Sequence, residues 1–178
     1  SNLCAVYNLL NDPKSISVFM AIINRMMNPN CGIDVMLDVY EGNQYFPESL
    51  IQLTDHERLV DIGAYDGDTI RNFVQITAGI FDKIFAFELD SFNFKALKEN
   101  VEKMPERDLI DLYNLGIWDS ECDISYSNDQ FQSTIGIGQA QGHVVPLDSI
   151  LAGEKITFIK MDIEGAEINA LKGARNII

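Results

Sequence analysis

The sequence predicts an α/β domain built on a parallel sheet over 51–178, preceded by a helical cap over 1–50. Three observations predict it. Beyond Arg58, short apolar runs alternate with helical stretches, the pattern of right-handed βαβ crossovers. A glycine turn, Gly63 to Gly67, joins the first apolar run to the first helix of that series. Acids stand at or just past the ends of the apolar runs, at Asp61, Glu88 and Asp162, where strands of an open α/β sheet face a ligand crevice.

The totals bound the function. The chain has 178 residues, 47% of them hydrophobic, enough to bury one core. Its net charge is −14, and its thirteen Lys and Arg form no run. That excludes the basic stripe that nucleic acid or an anionic membrane surface would need, so neither is expected as a partner. The acidic surface is read as solubility. Cys4, Cys31 and Cys122 lie far apart without C-x-x-C spacing, against a disulfide framework or zinc site. Buried reduced thiols in a cytoplasmic protein are expected. The apolar stretches are too short to span a bilayer. The start at Ser1-Asn2, without Met, resembles a tag-cleavage scar.

Each element has a local reason. Leu3 to Met27 reads as two helices broken at Asp12-Pro13, because proline is tolerated at a helix start but not inside. Ile16, Phe19, Met20, Ile23 and Met27 recur at helical spacing as one apolar face. Asn28-Pro29-Asn30 and Gly32 signal a loop. Strands are expected at Leu59–Ile62, Ile84–Phe87, Leu109–Leu115 and Ile156–Met161. Helices are expected at Asp68–Ile76, from Ser91 as cap to about Lys103, and at about Gly165–Lys172. The Ser-, Gln- and Gly-rich piece from Trp118 to Gln141 could hold a hairpin, Cys122–Tyr126 against Thr134–Ile137; substrate specificity and surface decoration are equally open to it.

The run Val60-Asp61-Ile62-Gly63-Ala64-Tyr65-Asp66-Gly67-Asp68-Thr69 carries the first chemistry. A strand entering a glycine turn and then a helix lets backbone N–H groups approach a ligand. The dinucleotide fingerprint needs glycines at 63, 65 and 68, but Tyr65 and Asp68 occupy the last two. Asp61, Asp66 and Asp68 would repel a diphosphate and suit a cation, such as the sulfonium and amino group of S-adenosylmethionine. Glu88, 88 − 63 = 25 positions past the first glycine, could accept bonds from both ribose hydroxyls. Asp90 could do so instead, or cap the next helix. The third element is Phe158-Ile159-Lys160-Met161-Asp162-Ile163-Glu164-Gly165-Ala166-Glu167. Asp162 is read as functional, Glu167 as a complement to the helix N-terminus, and Glu164 as either.

With Leu147-Asp148-Ser149-Ile150 and the closing Leu171-Lys172-Gly173-Ala174, these segments resemble the FkbM family of methyltransferases over about Leu59 to Ala174. The resemblance implies a class I, Rossmann-like methyltransferase that uses S-adenosylmethionine and methylates oxygen, often on a sugar or other small-molecule hydroxyl. It implies that Asp61, Gly63 and Gly67 shape the methionine end and that Glu88 holds the ribose; Ala64, Tyr65, Asp68, Thr69 and Leu89 are expected with them among the cofactor-binding residues. Asn114 would lie near the adenine, and Asp162 and Glu164 where donor and acceptor meet. Leu89 departs from the proline usual in the family. A full sheet of this class has about seven strands, whereas four are readable before Ile178, so the chain reads as cut short, with an exposed edge where a homodimer could form.

The expected mechanism is in-line methyl transfer, driven mainly by proximity and orientation, with Asp162 or Glu164 as general base. His143 is a further candidate base, and His56 precedes the first strand, away from the crevice. No metal is expected, although Asp162 and Glu164 offer the oxygens magnesium takes. Two other readings compete: a nucleotide-dependent oxidoreductase, and a degenerate module that binds without catalysis.

Overall fold

A computed structural model describes residues 2–30, 34–40, 43–47, 50–129, 132–135 and 140–178. The chain divides into two compact units, 1–47 and 48–178. The first holds α1 (Asn2–Tyr7), α2 (Pro13–Met27) and α3 (Asp34–Leu37), with α3 packed against α2. The Asp12 side chain accepts from the Ser15 N–H at 2.8 Å and Pro13 opens α2, which is why the helices part there. The expected apolar face of α2 is only partly covered: Met20 and Met27 are exposed, and Ala21 is its one buried residue.

The second unit runs β1 (Arg58–Ile62), α4 (Asp68–Ile76), β2 (Lys83–Phe87), α5 (Ser91–Val101), β3 (Ile110–Tyr113), β4 (Gly116–Ile117), β5 (Cys122–Asp129), β6 (Gln132–Ile135), β7 (Ala140–Val145), α6 (Leu147–Ile150), β8 (Phe158–Met161) and α7 (Glu167–Lys172). Its main sheet has the order β3-β2-β1-β8, parallel throughout. This is the Rossmann-like α/β class. Val60, Ile62, Phe85 and Phe87 face one side and join Ile117, Val145, Leu147, Leu151, Ala170 and Ala174 in a buried cluster. Strand alternation turns Leu59, Asp61, Ile84 and Ala86 to the other side. There the buried Ile70 and Phe73 of α4 and Leu97 and Val101 of α5 supply the opposing layer. All four strands point the same way, so the turns after Ile62, Phe87, Tyr113 and Met161 share one edge.

Several expectations need correction. A second sheet, ordered β4-β7-β5-β6, was not foreseen. Cys122–Tyr126 pairs chiefly with β7, Cys122 opposite Val144 and Tyr126 opposite Ala140, rather than with Thr134–Ile137. The hairpin itself is tighter, Tyr126 opposite Ile135 through Asp129 opposite Gln132; 136–137 lie outside the described residues. The cap of α5 is Asp90, not Ser91: its carboxylate accepts from the N–H of Phe92 and Asn93 at 3.0 and 2.9 Å. The third strand is shortened by a 3-10 turn at Arg107–Leu109. Cys4 and Cys122 are exposed thiols rather than buried ones, and Cys31 lies outside the described residues.

Candidate functional site

The glycine turn is held from both sides. The N–H groups of Gly63 and Ala64 both donate to the Phe87 carbonyl, at 2.9 and 3.0 Å, so the turn folds over the end of β2. Gly63 has φ 78, and a Cβ there would overlap the Asp162 carbonyl oxygen. Gly67 has φ 88, donates to the Ala64 carbonyl at 2.8 Å and caps α4; a Cβ there would press on Leu97. Both positions need glycine for backbone conformation and for room. Tyr65 between them also sits at positive φ, 49, and is 57% exposed. Such strain in a non-glycine residue costs of order 1–3 kcal/mol and gathers at functional sites.

Glu88 locks that turn to β2. One carboxylate oxygen accepts the Tyr65 N–H at 2.8 Å and the other accepts the Asp90 N–H at 2.8 Å. Burial pushes its pKa up, while the N–H groups of Asp90 and Tyr65 hold it back. Each oxygen keeps a second lone pair, so a ligand's hydroxyls could still be accepted. Asp90, the alternative ribose acid, is spent on helix capping. Asn114 follows β3 and donates to the Glu88 and Leu89 carbonyls at 2.8 and 3.1 Å, which fixes the backbone beneath Glu88. The Leu89 side chain lies against Gly116 and Gly142 of the second sheet, where any Cβ would collide with it.

The second sheet also reaches the site. The Tyr126 hydroxyl, buried, donates to the second Asp90 oxygen at 3.1 Å. Burial, followed by the nearby Asp90 carboxylate, pushes the Tyr126 phenol up to about 12, so it remains a donor. Tyr126→Phe removes a buried hydrogen bond to a charged acceptor and is expected to cost about 1–3 kcal/mol of stability. A chemical-denaturation midpoint unchanged by the substitution would show that the bond contributes nothing.

At the end of β8 the Asp162 N–H donates to the Ile62 carbonyl at 3.1 Å. Asp162 and Glu164 are exposed, and Glu164 has φ 52. Glu167 turns back: its carboxylate accepts the N–H groups of Ile163 and Gly165 at 3.2 and 3.1 Å, and its own backbone N–H, followed by that of Gly165, lowers its pKa. The sheet therefore brings the Gly63–Gly67 turn, Glu88, Asn114 and the Asp162–Glu164 turn to one edge. His56 is elsewhere, exposed and 3.2 Å from Asp82. His143, on β7, pairs with Asp123 at 2.7 Å and with Glu121 at 3.4 Å. The Asp123 hydrogen bond raises its pKa, which disfavours it as a base.

Two of the turn's acids meet bases within the protein. Asp66 pairs with Arg71 at 3.0 Å, and Asp61, fully buried, stands 3.1 Å from the Lys160 ammonium. The Asp61 carboxylate thus does not reach the surface. Lys160 has no role in the sequence reading, yet a lysine inside an apolar strand, level with Asp61 in the pairing register, is the signal that finds it. No group of His, Cys, Asp and Glu suited to a metal occurs among the described residues.

The remaining motif residues are structural. Asp148 accepts the N–H groups of Asn176 and Ile177 at 3.1 and 3.2 Å, and a Cβ on Gly173 would overlap the Trp118 carbonyl oxygen. These contacts close the end of α7 onto the second sheet's flank.

Residues 61–178 match the family model described as the methyltransferase FkbM domain. The crystal structure of methyltransferase FkbM from Methylobacillus flagellatus KT superposes with a TM-score of 0.79 at 26% identity. The match covers 99% of this chain and 44% of that one, so the chain spans under half of its structural relative's length. No curated protein matches. No helix among the described residues is long and apolar enough to cross a membrane.

Proposed function

Since this chain belongs to the FkbM methyltransferase family, we propose that it forms the donor-binding part of an S-adenosylmethionine-dependent enzyme that methylates a hydroxyl of a sugar or other small molecule. The observation that carries this reading is Glu88: a buried carboxylate at the end of β2, bonded to the turn that Gly63 and Gly67 allow. The donor set fits S-adenosylmethionine better than a dinucleotide. It presents acids and strained backbone, and it lacks the second and third glycines of a pyrophosphate cradle.

When bound, the cofactor supplies a methyl group on a sulfonium, open to attack by an acceptor oxygen. Glu88 would accept from the ribose hydroxyls, with Asn114 holding the Glu88 and Leu89 carbonyls beneath it on the side expected for the adenine. The turn from Gly63 through Ala64, Tyr65, Gly67 and Asp68 to Thr69 would hold the methionine end. Asp162 would take the acceptor's hydroxyl proton, with Glu164 at the next turn as the other candidate. The surface thiols of Cys4 and Cys122 support a reducing, cytoplasmic setting.

The test is calorimetric titration with S-adenosylhomocysteine. Wild type should bind, and Glu88→Ala should weaken binding about a hundredfold or more, the loss of two charge-assisted hydrogen bonds. Equal affinity in the variant would remove Glu88 from the site. No binding by wild type would favour the module without catalysis.

A further inference from the structure

Lys160 is a buried base that the donor site so far leaves unused. Its side chain is 5% exposed, in the middle of an otherwise apolar strand. Parallel pairing of β8 with β1 sets it beside Asp61. From there its ammonium donates to the Gly63 carbonyl at 2.7 Å and stands 3.1 Å from an Asp61 oxygen. That second contact pairs the ammonium with the buried Asp61 carboxylate. Burying such a pair is costly, and an apolar pair of similar volume would serve the sheet at least as well. The pair lies directly beneath the first glycine of the turn, at the point where the chain enters positive φ.

Resting on the S-adenosylmethionine reading above, we propose that Lys160 is a positioning residue of the donor site. Its ammonium fixes the Gly63 carbonyl and balances the Asp61 carboxylate, so that the floor of the turn carries no net charge beneath a sulfonium. The other charged groups acting on Asp61 are Asp68 from the start of α4 and Glu88 from the end of β2. Burial pushes the Asp61 carboxyl up to about 6, with Lys160 pulling it back and the two acids adding to the rise. Protonation of Asp61 below that pH leaves the ammonium unbalanced. An unbalanced ammonium opposes the sulfonium of S-adenosylmethionine but not the neutral thioether of S-adenosylhomocysteine. Selectivity between the two ligands therefore reports the pair. Loss of contacts common to both, such as those of Glu88 to the ribose, cancels in the ratio.

The experiment measures both dissociation constants from pH 8 to pH 5 for wild type, Lys160→Met, Lys160→Arg and the charge-free double variant Asp61→Asn/Lys160→Met. In wild type the preference for S-adenosylmethionine should fall tenfold or more as Asp61 becomes protonated, since one charge within about 12 Å at an effective dielectric of about 20 is worth at least that much. In Lys160→Met the midpoint should move to higher pH, because Asp61 loses its balancing cation. Lys160→Arg should return it toward wild type, and the double variant should lose the Asp61 step. A wild-type ratio that is flat with pH, or the same midpoint in every variant, overturns the proposal. Should Lys160→Met not fold, the wild-type profile and the double variant decide. Failure of wild type to bind either ligand overturns the cofactor reading and this proposal together. Binding with Lys160-independent selectivity overturns this proposal alone.

Discussion

Replacing Asp162 with asparagine is expected to lower methyl-transfer turnover by about 10²- to 10⁴-fold, the usual contribution of a positioned general base. Affinity for S-adenosylmethionine should stay nearly unchanged. The separation follows from how Asp162 is held. Its backbone helps build the cofactor turn: its N–H bonds the Ile62 carbonyl and its own carbonyl packs against Gly63. Asparagine keeps both backbone contacts and removes the basic carboxylate. The assay follows formation of S-adenosylhomocysteine with an acceptor drawn from a panel of sugars. Full turnover in Asp162→Asn with a collapse in Glu164→Gln would move the base to Glu164, and full turnover in both would dismiss carboxylate catalysis at this edge.

The substitution Gly63→Ala should cost the fold more than any other single methyl group at this site. It forces a Cβ into a backbone carbonyl that β8 cannot move without breaking the Asp162 to Ile62 bond, and it places a side chain at φ 78. Overpacking and positive φ together come to about 3 kcal/mol or more. For a domain of this size that is a fall in melting temperature of roughly 6–12 °C. Because the displaced atoms are those of the turn, donor binding should fail in whatever fraction still folds. A melting temperature within a degree or two of wild type would mean that β1 and β8 are not held as closely as described.

The parts of this molecule legible in its sequence are those encoded locally. The α4 helix runs over Asp68–Ile76 as read, because a glycine starts it and its apolar residues keep helical spacing. Strands β1 and β2 end in glycine or acid and needed no partner to be recognised. The second sheet was hidden because its strands are short or polar and its pairing is non-local. β4 is only Gly116–Ile117, and β7 finds β5 across about twenty residues. Leu89 is expected among the cofactor-binding residues from its place next to Glu88; that its side chain packs on Gly116 and Gly142 of the second sheet is a distant contact no local pattern encodes. Two residues of the family-like segments, Asp148 and Gly173, serve capping and close packing: Asp148 accepts the N–H groups of Asn176 and Ile177, and Gly173 leaves no room for a side chain beside Trp118. Glu88 and its spacing from Gly63 were readable. The hydrogen bonds from Tyr65 and Asp90 that hold Glu88 were not, because they depend on a turn geometry with φ 49 at a tyrosine.

The most direct test of the donor site is a crystal structure of this chain with S-adenosylhomocysteine. The ribose hydroxyls are expected within hydrogen-bond distance of the Glu88 carboxylate, the thioether over the Gly63–Gly67 turn, and the adenine on the Asn114 side. A ligand bound away from the β1 and β2 ends, or with its ribose turned from Glu88, would contradict this placement.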